Sequence, residues 1–278
     1  MSEPPDYVAA FLREADRDRY YATLFLPPAR RRAVQALYAF SADVAAIRDR
    51  AREPAAGEFR LQWWIDALEG DGHGNVRQNP IAAALLDTIS EFGLPAGALI
   101  RLLRARRFDL YQDPMPDVAS FEGYAGETVS TPYQLAAMIL NGGEEIETGD
   151  AAGHLGVAHA LVGHLRAFGY NASQGRVFLP MAVLSANGVT DREILTGTES
   201  EGLAEALGQI ADMAAEHIAQ ARTAIGTVPK ALRPVFAPVA LVASQLQQVR
   251  ENRRFFAAPD EIADWRKLVI MWWWNLRH

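Results

Sequence analysis

Pro28-Ala29-Arg30-Arg31-Arg32-Ala33-Val34-Gln35-Ala36-Leu37-Tyr38-Ala39-Phe40-Ser41-Ala42-Asp43-Val44-Ala45-Ala46-Ile47-Arg48-Asp49-Arg50 is the stretch that decides the fold of this chain. Val34, Leu37, Tyr38, Ser41, Ala45 and Asp49 recur at helical spacing, which puts them on one face of a helix running to Arg50. Outward from it the same period continues. Leu61, Trp64, Ile65 and Leu68 mark a helix that ends at the loop Gly70-Asp71-Gly72-His73-Gly74. A helix from Ile81 to Phe92 is stopped by Gly93 and Pro95, and another runs from Ala96 to Tyr111. Phe121 to Leu140 reads as helix with a kink or restart at Pro132, because proline has no N–H for the ladder. His154 to Phe168 is apolar on several sides and reads as a buried helix. Leu203–Ile225, Val235–Asn252 and Asp260–Leu276 complete the set.

Strand-like alternation is nearly absent, and no repeat or linker divides the chain. The expected architecture is all-α, one domain over residues 1–278, with about ten helices packing their apolar stripes on one another. The 278 residues are half hydrophobic and carry a net charge of -7. That charge excludes nucleic acid as a main partner, since phosphate backbones need a basic footprint. The arginine clusters Arg30-Arg31-Arg32 and Arg101, Arg104, Arg106, Arg107 read as solvated helix faces, with an anion or lipid headgroup as the minority reading. With no cysteine, disulfides and thiolate metal sites are excluded. The acidic stretch Met1 to Ala10 lacks the pattern of a signal or transit peptide. No apolar run approaches the roughly 20 residues of a membrane span. A cytoplasmic protein is the expectation.

Two motifs fall away on spacing. The Gly70/Gly72/Gly74 segment follows a helix rather than a strand, so it is an interhelical loop and not a nucleotide loop. His154, His159 and His164 turn by about 140° from one to the next and do not share a metal.

Tyr20-Tyr21-Ala22-Thr23-Leu24-Phe25-Leu26-Pro27 followed by Arg31 to Phe40 resembles the opening of the squalene/phytoene synthase family. The resemblance implies an isoprenoid synthase fold around a central cavity. It also implies two D-x-x-x-D motifs whose aspartates grip magnesium for an allylic diphosphate. The first slot here is Ala45-Ala46-Ile47-Arg48-Asp49, with one carboxylate left, either a surviving ligand or a surface acid near a helix end. The second lies between Leu165-Arg166 and Gly175-Arg176-Val177-Phe178-Leu179-Pro180 and reads Ala167-Phe168-Gly169-Tyr170-Asn171, with none. The family's Gln and Asn one turn earlier are Ala160 and Gly163. Tyr124-Ala125-Gly126-Glu127-Thr128-Val129-Ser130-Thr131 is similar to the branch containing a mitochondrial complex I assembly factor, which also lacks intact aspartate motifs.

That branch implies a non-catalytic protein with no cofactor, whose partners are complex I subunits or other assembly proteins. Two alternatives stay open. One is a magnesium-dependent prenyltransferase joining two farnesyl or geranylgeranyl diphosphates. The other is a carrier of isoprenoid or lipid. In each case the resemblance places Tyr38, Arg48, Asp49, Gln62, Glu127, Ser130, Gln134, Arg166, Asn171 and Arg176 at the cavity mouth, with Trp63 and Trp64 as cavity wall and core. Finally, Trp272, Trp273 and Trp274 cannot all face one core, since neighbours on a helix differ by about 100°. Either one or two are buried and the third is exposed, or they meet a membrane interface, such as the inner face of the cytoplasmic membrane, or a partner.

Overall fold

The decisive helix begins at Pro28, whose missing N–H costs nothing in a first turn, and runs Pro28–Ala45. The computed structural model describes residues 6–72 and 74–278; the start of the acidic N-terminal stretch (residues 1–5) and His73 of the glycine loop lie outside the described residues. Val34, Leu37, Tyr38 and Ser41 are buried, as their spacing predicts. The helix stops short of Arg50, however. Its ladder is interrupted at Ala46, and a separate turn, Ile47–Arg50, carries Arg48 and Asp49.

The described residues contain sixteen α-helical segments and no strand. Part of the excess over about ten comes from helices broken in two, and the rest from Tyr7–Ala15, Arg17–Thr23, Met181–Ala186 and Asp191–Leu195, which form in stretches outside the helices read from the sequence. Ala96 to Tyr111 is an α-helix, Ala96–Ala105, followed by a 3-10 turn, Arg106–Leu110. The break predicted near Pro132 is a π-helical turn, Gly126–Ser130, between Val118–Ala125 and Thr131–Leu140. The Thr131 N–H reaches back to the Gly126 carbonyl across the widened turn. Proline then sits at the second position of the restarted helix, where no N–H is needed. The Gly70 loop is interhelical, as read, and Gly70 takes the left-handed φ of 87° that closes the Pro54–Glu69 helix.

At the centre lies the Gly149–Arg166 helix, packed against Glu201–Thr227, Pro238–Glu251, Thr131–Leu140 and the π turn. Gly156 is the point of closest approach. A Cβ there would stand 2.6 Å from the Ser130 backbone nitrogen and 2.7 Å from its Cα. Ser130 itself is buried and donates to the Gly153 carbonyl at 3.2 Å. The three histidines of this helix turn to three different neighbours, as their spacing requires. Nδ1 of His154 is 3.0 Å from that of His217, His159 shares a 2.8 Å hydrogen bond with the Tyr133 hydroxyl, and His164 stacks on Phe178.

The C-terminal helix, Asp264–Arg277, has two faces. Lys267, Met271 and Trp274 point inward, and the Lys267 ammonium pairs with Asp18 at 2.7 Å. Trp265, Val269, Trp272, Trp273 and Leu276 point outward; Trp272 is 51% and Trp273 47% exposed. One tryptophan of the triplet is therefore buried and two are exposed, a wider apolar surface than burial of two would leave. Trp64 is core, edge-on to Phe40. Trp63 lines a small separate cleft with Arg60 and Asn79 rather than the central one. Because backbone atoms of Ser130 would have to move, Gly156→Ala is expected to lower the unfolding free energy by about 1–3 kcal/mol in chemical denaturation.

Candidate functional site

Both degenerate motif slots open on one cavity of about 350 Å³. Ala45, Arg48 and Asp49 reach it from the first slot and Ala167 from the second, with Ala160 and Gly163 behind them. Ala167 is the break between the Gly149–Arg166 helix and the short helix Phe168–Ser173. The same opening is walled by Asp16, Arg19, Ser41, Arg106, Tyr124, His159 and His164, none of which the sequence reading assigned to the mouth. A larger cavity, about 500 Å³, lies beside Glu147, His154 and Gln220 and contains none of the assigned residues.

Charge at the mouth is arranged around arginine. Asp49 is clasped by Arg176, with Nη1 to Oδ1 at 3.2 Å, and flanked by Arg48, whose Nε is 3.5 Å from Oδ2. Arg176 also donates to the Arg48 carbonyl, which joins the two motif frames across the mouth. The Arg48 guanidinium lies 4.9 Å over the ring of Phe178, a cation–π contact. Arg106 donates to Asp109 at 3.0 Å and to the Tyr124 hydroxyl at 2.8 Å, while Tyr124 donates to Asp109 at 2.7 Å. Burial pushes the Tyr124 phenol upward, so it remains a donor at any ordinary pH. Arg19 donates to Ser41 at 3.0 Å and lies under the rings of Tyr38 and Tyr133. Asp16 caps the Arg17–Thr23 helix through the Arg19 N–H; burial raises its pKa, partly offset by the Arg19 charge.

The remaining assigned residues lie elsewhere. Tyr38 is buried in the core, edge-on to Tyr133, which in turn stacks on Phe236; these fully enclosed rings fill the interior behind the cavity. Gln62 is exposed and bonds Asp66. Glu127 pairs with Arg101 on the outer side of the π turn. Ser130 is a spacer between helices, and Gln134 is exposed near Gly149. Asn171 is turned inward and buried, so the second slot presents only Ala167. Arg166 is partly buried and close enough to His159 to act on its charge.

The arginine clusters are likewise not plain solvated faces. Arg106 is held inside, and Arg31 donates to the carbonyls of Thr23, Leu24 and Leu26, closing the Arg17–Thr23 helix. A lone arginine among arginines carries no sequence mark of burial. The signal available for Arg106 was Asp109 three residues on.

Magnesium does not fit these residues. It is bound through carboxylates with water and phosphate around it. Here the one slot carboxylate, Asp49, already faces two guanidinium groups. Among the described residues no group of three or more His, Asp or Glu side chains is placed to hold a metal ion.

An all-helical isoprenoid synthase fold with its carboxylate positions replaced is the class of protein these features define. Residues 12–272 match the squalene/phytoene synthase family, and the chain belongs to it. It is 30% identical over 230 residues to NADH dehydrogenase (ubiquinone) complex I, assembly factor 6, of Homo sapiens, covering 83% of this chain and 69% of that protein. To the 15-cis-phytoene synthase of Synechocystis sp. it is 25% identical over 249 residues, covering 84% and 72%. A crystal structure of a dehydrosqualene synthase with ligand superposes with a TM-score of 0.81 at 19% identity, covering 98% of this chain and 95% of that one; this is a likeness of fold.

His159 and His164 are held neutral by burial, with the arginines of the mouth adding to it. Burial first, then Arg19 and Arg166 for His159 and Arg48 and Arg106 for His164, lower both imidazoles to about 3. Unfolded, each titrates near 6.5, so between about 3 and 6.5 the unfolded chain binds more protons and stability falls as pH drops. At pH 5 the expected loss is about 2 kcal/mol per ring relative to pH 7. His164→Phe, which keeps the stack on Phe178, is expected to reduce that loss by about one ring's share when denaturation is compared at the two pH values.

Proposed function

We propose that this protein is a non-catalytic member of its family that assists assembly of respiratory complex I. The observation that carries the reading is Asp49, the only carboxylate left in the two slots, neutralised by Arg176 and Arg48 rather than free for metal. Prenyl transfer needs ionisation of a diphosphate, and metal stabilises that leaving group by several kcal/mol. The similarity to complex I assembly factor 6 supports the assembly reading, and the similarity to a phytoene synthase supports the prenyltransferase alternative only as family. Cavity size adds weight. At about 350 Å³ it lies at the lower end of the range for single small-ligand sites, with little room for two prenyl diphosphates.

Work on complex I takes place at a membrane, and the outward face of the C-terminal helix suits a peripheral contact. Among the described residues no helix is long and apolar enough to cross a bilayer. The exposed stripe Trp265, Val269, Trp272, Trp273, Leu276 carries indoles that favour the headgroup level. Arg266 and Arg277 lie 5.2 and 4.4 Å over the rings of Trp265 and Trp273, placing cations where an anionic lipid surface would meet them. The cytoplasmic side of the membrane is the proposed location, with complex I subunits or assembly proteins as partners.

Deleting the gene is expected to lower membrane NADH:quinone oxidoreductase activity, and a copy carrying Asp49→Asn is expected to restore it; unchanged activity in the deletion sinks the assembly reading. Failure of Asp49→Asn to restore, together with pyrophosphate release from farnesyl diphosphate by the pure protein, favours the enzyme. For the membrane contact, co-sedimentation with phosphatidylglycerol vesicles is expected to drop roughly fivefold or more in the double variant Trp272→Ser, Trp273→Ser. Equal binding of variant and parent removes this face from the reading.

A further inference from the structure

We propose that His154 and His217 bind a first-row divalent transition metal ion through their Nδ1 atoms, with water from the adjoining cavity completing its shell. The two imidazoles come from different helices, Gly149–Arg166 and Glu201–Thr227, which pack along each other at the centre of the molecule. Their Nδ1 atoms stand 3.0 Å apart and their ring planes meet at 47°. With metal–nitrogen bonds of about 2.0–2.1 Å, two imidazole nitrogens on one ion lie about 2.9 Å apart at a right angle and about 3.4 Å apart in a tetrahedron. The pair already spans an edge of such a polyhedron. A turn of each ring aims the two lone pairs at a common point instead of setting one nitrogen against the other.

His217 is prepared for this role. Its Nε2 lies 3.4 Å from the Glu122 carboxylate, and by that contact its hydrogen is assigned to Nε2, which leaves a lone pair on Nδ1. A carboxylate behind a histidine is the arrangement that orients metal-binding imidazoles and raises their basicity. Burial first, then the neighbouring His154, holds His217 below the ordinary histidine range, so it is unprotonated at neutral pH, as a ligand must be. His154 is then the donor of the metal-free pair, and ligation asks only that it carry its hydrogen on Nε2 instead.

His154 also lines the cavity of about 500 Å³, which gives an ion a way in and its waters room. Glu147 and Asp150 stand on the same wall, and no lysine or arginine is among its described lining residues. That potential favours a cation. This cavity shares no lining residue with the one at the motif slots. Imidazole selects borderline ions such as Zn²⁺, Ni²⁺ and Cu²⁺, whereas Mg²⁺ keeps to oxygen.

The site is separate from the assembly reading: metal affinity and the deletion phenotype are measured independently, and either stands without the other. Calorimetry of the pure, untagged full chain, stripped with EDTA and returned to chelator-free buffer, tests it. A single Zn²⁺ per chain is expected to bind, and Mg²⁺ is not expected to compete with it. His154→Ala and His217→Ala, each checked for folding by circular dichroism, are expected to weaken Zn²⁺ roughly tenfold or more, and Glu122→Gln about tenfold through the orientation of His217. Electron paramagnetic resonance with Cu²⁺ distinguishes ligation from a loss of packing: two imidazole nitrogens are expected in the parent and in Glu122→Gln, and one in either alanine variant. Absence of Zn²⁺ binding, a parent Cu²⁺ spectrum without two imidazole nitrogens, or a Zn²⁺ affinity indifferent to both alanine variants overturns the proposal.

Discussion

Contact between Gly156 and Ser130 sets the geometry on which the site depends. With no Cβ at 156, the central helix lies directly on the backbone of the π turn. The widened turn positions Val129 at the cavity and keeps Tyr124, one turn earlier, within reach of Arg106 and Asp109. The same helix then delivers His159, Ala160, Gly163 and His164 to the opening at helical intervals. A bulkier residue at 156 would separate the two walls of one pocket, so backbone packing and site chemistry are a single constraint here.

Where the two slots carry Ala45 and Ala167, the cavity lining holds the guanidinium groups of Arg19, Arg48 and Arg106 beside two aspartates, Asp16 and Asp49. The structure absorbs part of this internally. Asp49 is shared between Arg48 and Arg176, Arg106 is satisfied at its Nη1 by Asp109 and Tyr124, and Phe178 offers its ring face to Arg48. Burial, with the neighbouring arginines adding to it, keeps His159 and His164 neutral.

Helical periodicity and the glycine and proline stops made the fold readable from the sequence, because each burial pattern is local. The motif frames pointed to Ala45, Arg48, Asp49 and Ala167, and these four line one cavity. Tyr38, Gln62, Glu127, Ser130 and Gln134 were misplaced because resemblance supplies position along the chain and not which way a side chain leaves its helix. Asn171 turned inward for the same reason, once the helix broke at Ala167. Asp16, Arg19 and Arg106 were missed because their role depends on segments far apart in sequence. A buried arginine looks like an exposed one until its partners are in place.

Asp18 and Arg19 are adjacent on one short helix and face opposite duties. Asp18 holds the C-terminal helix through Lys267 and accepts from Gln245 at 2.7 Å, while Arg19 stands in the cavity wall. The tryptophan helix is therefore tied, through Asp18, to the same short helix that carries Arg19 into the cavity wall. Whatever surface the tryptophans rest on, the direction in which the opening looks is set in advance, like a gauge fixed to its bracket.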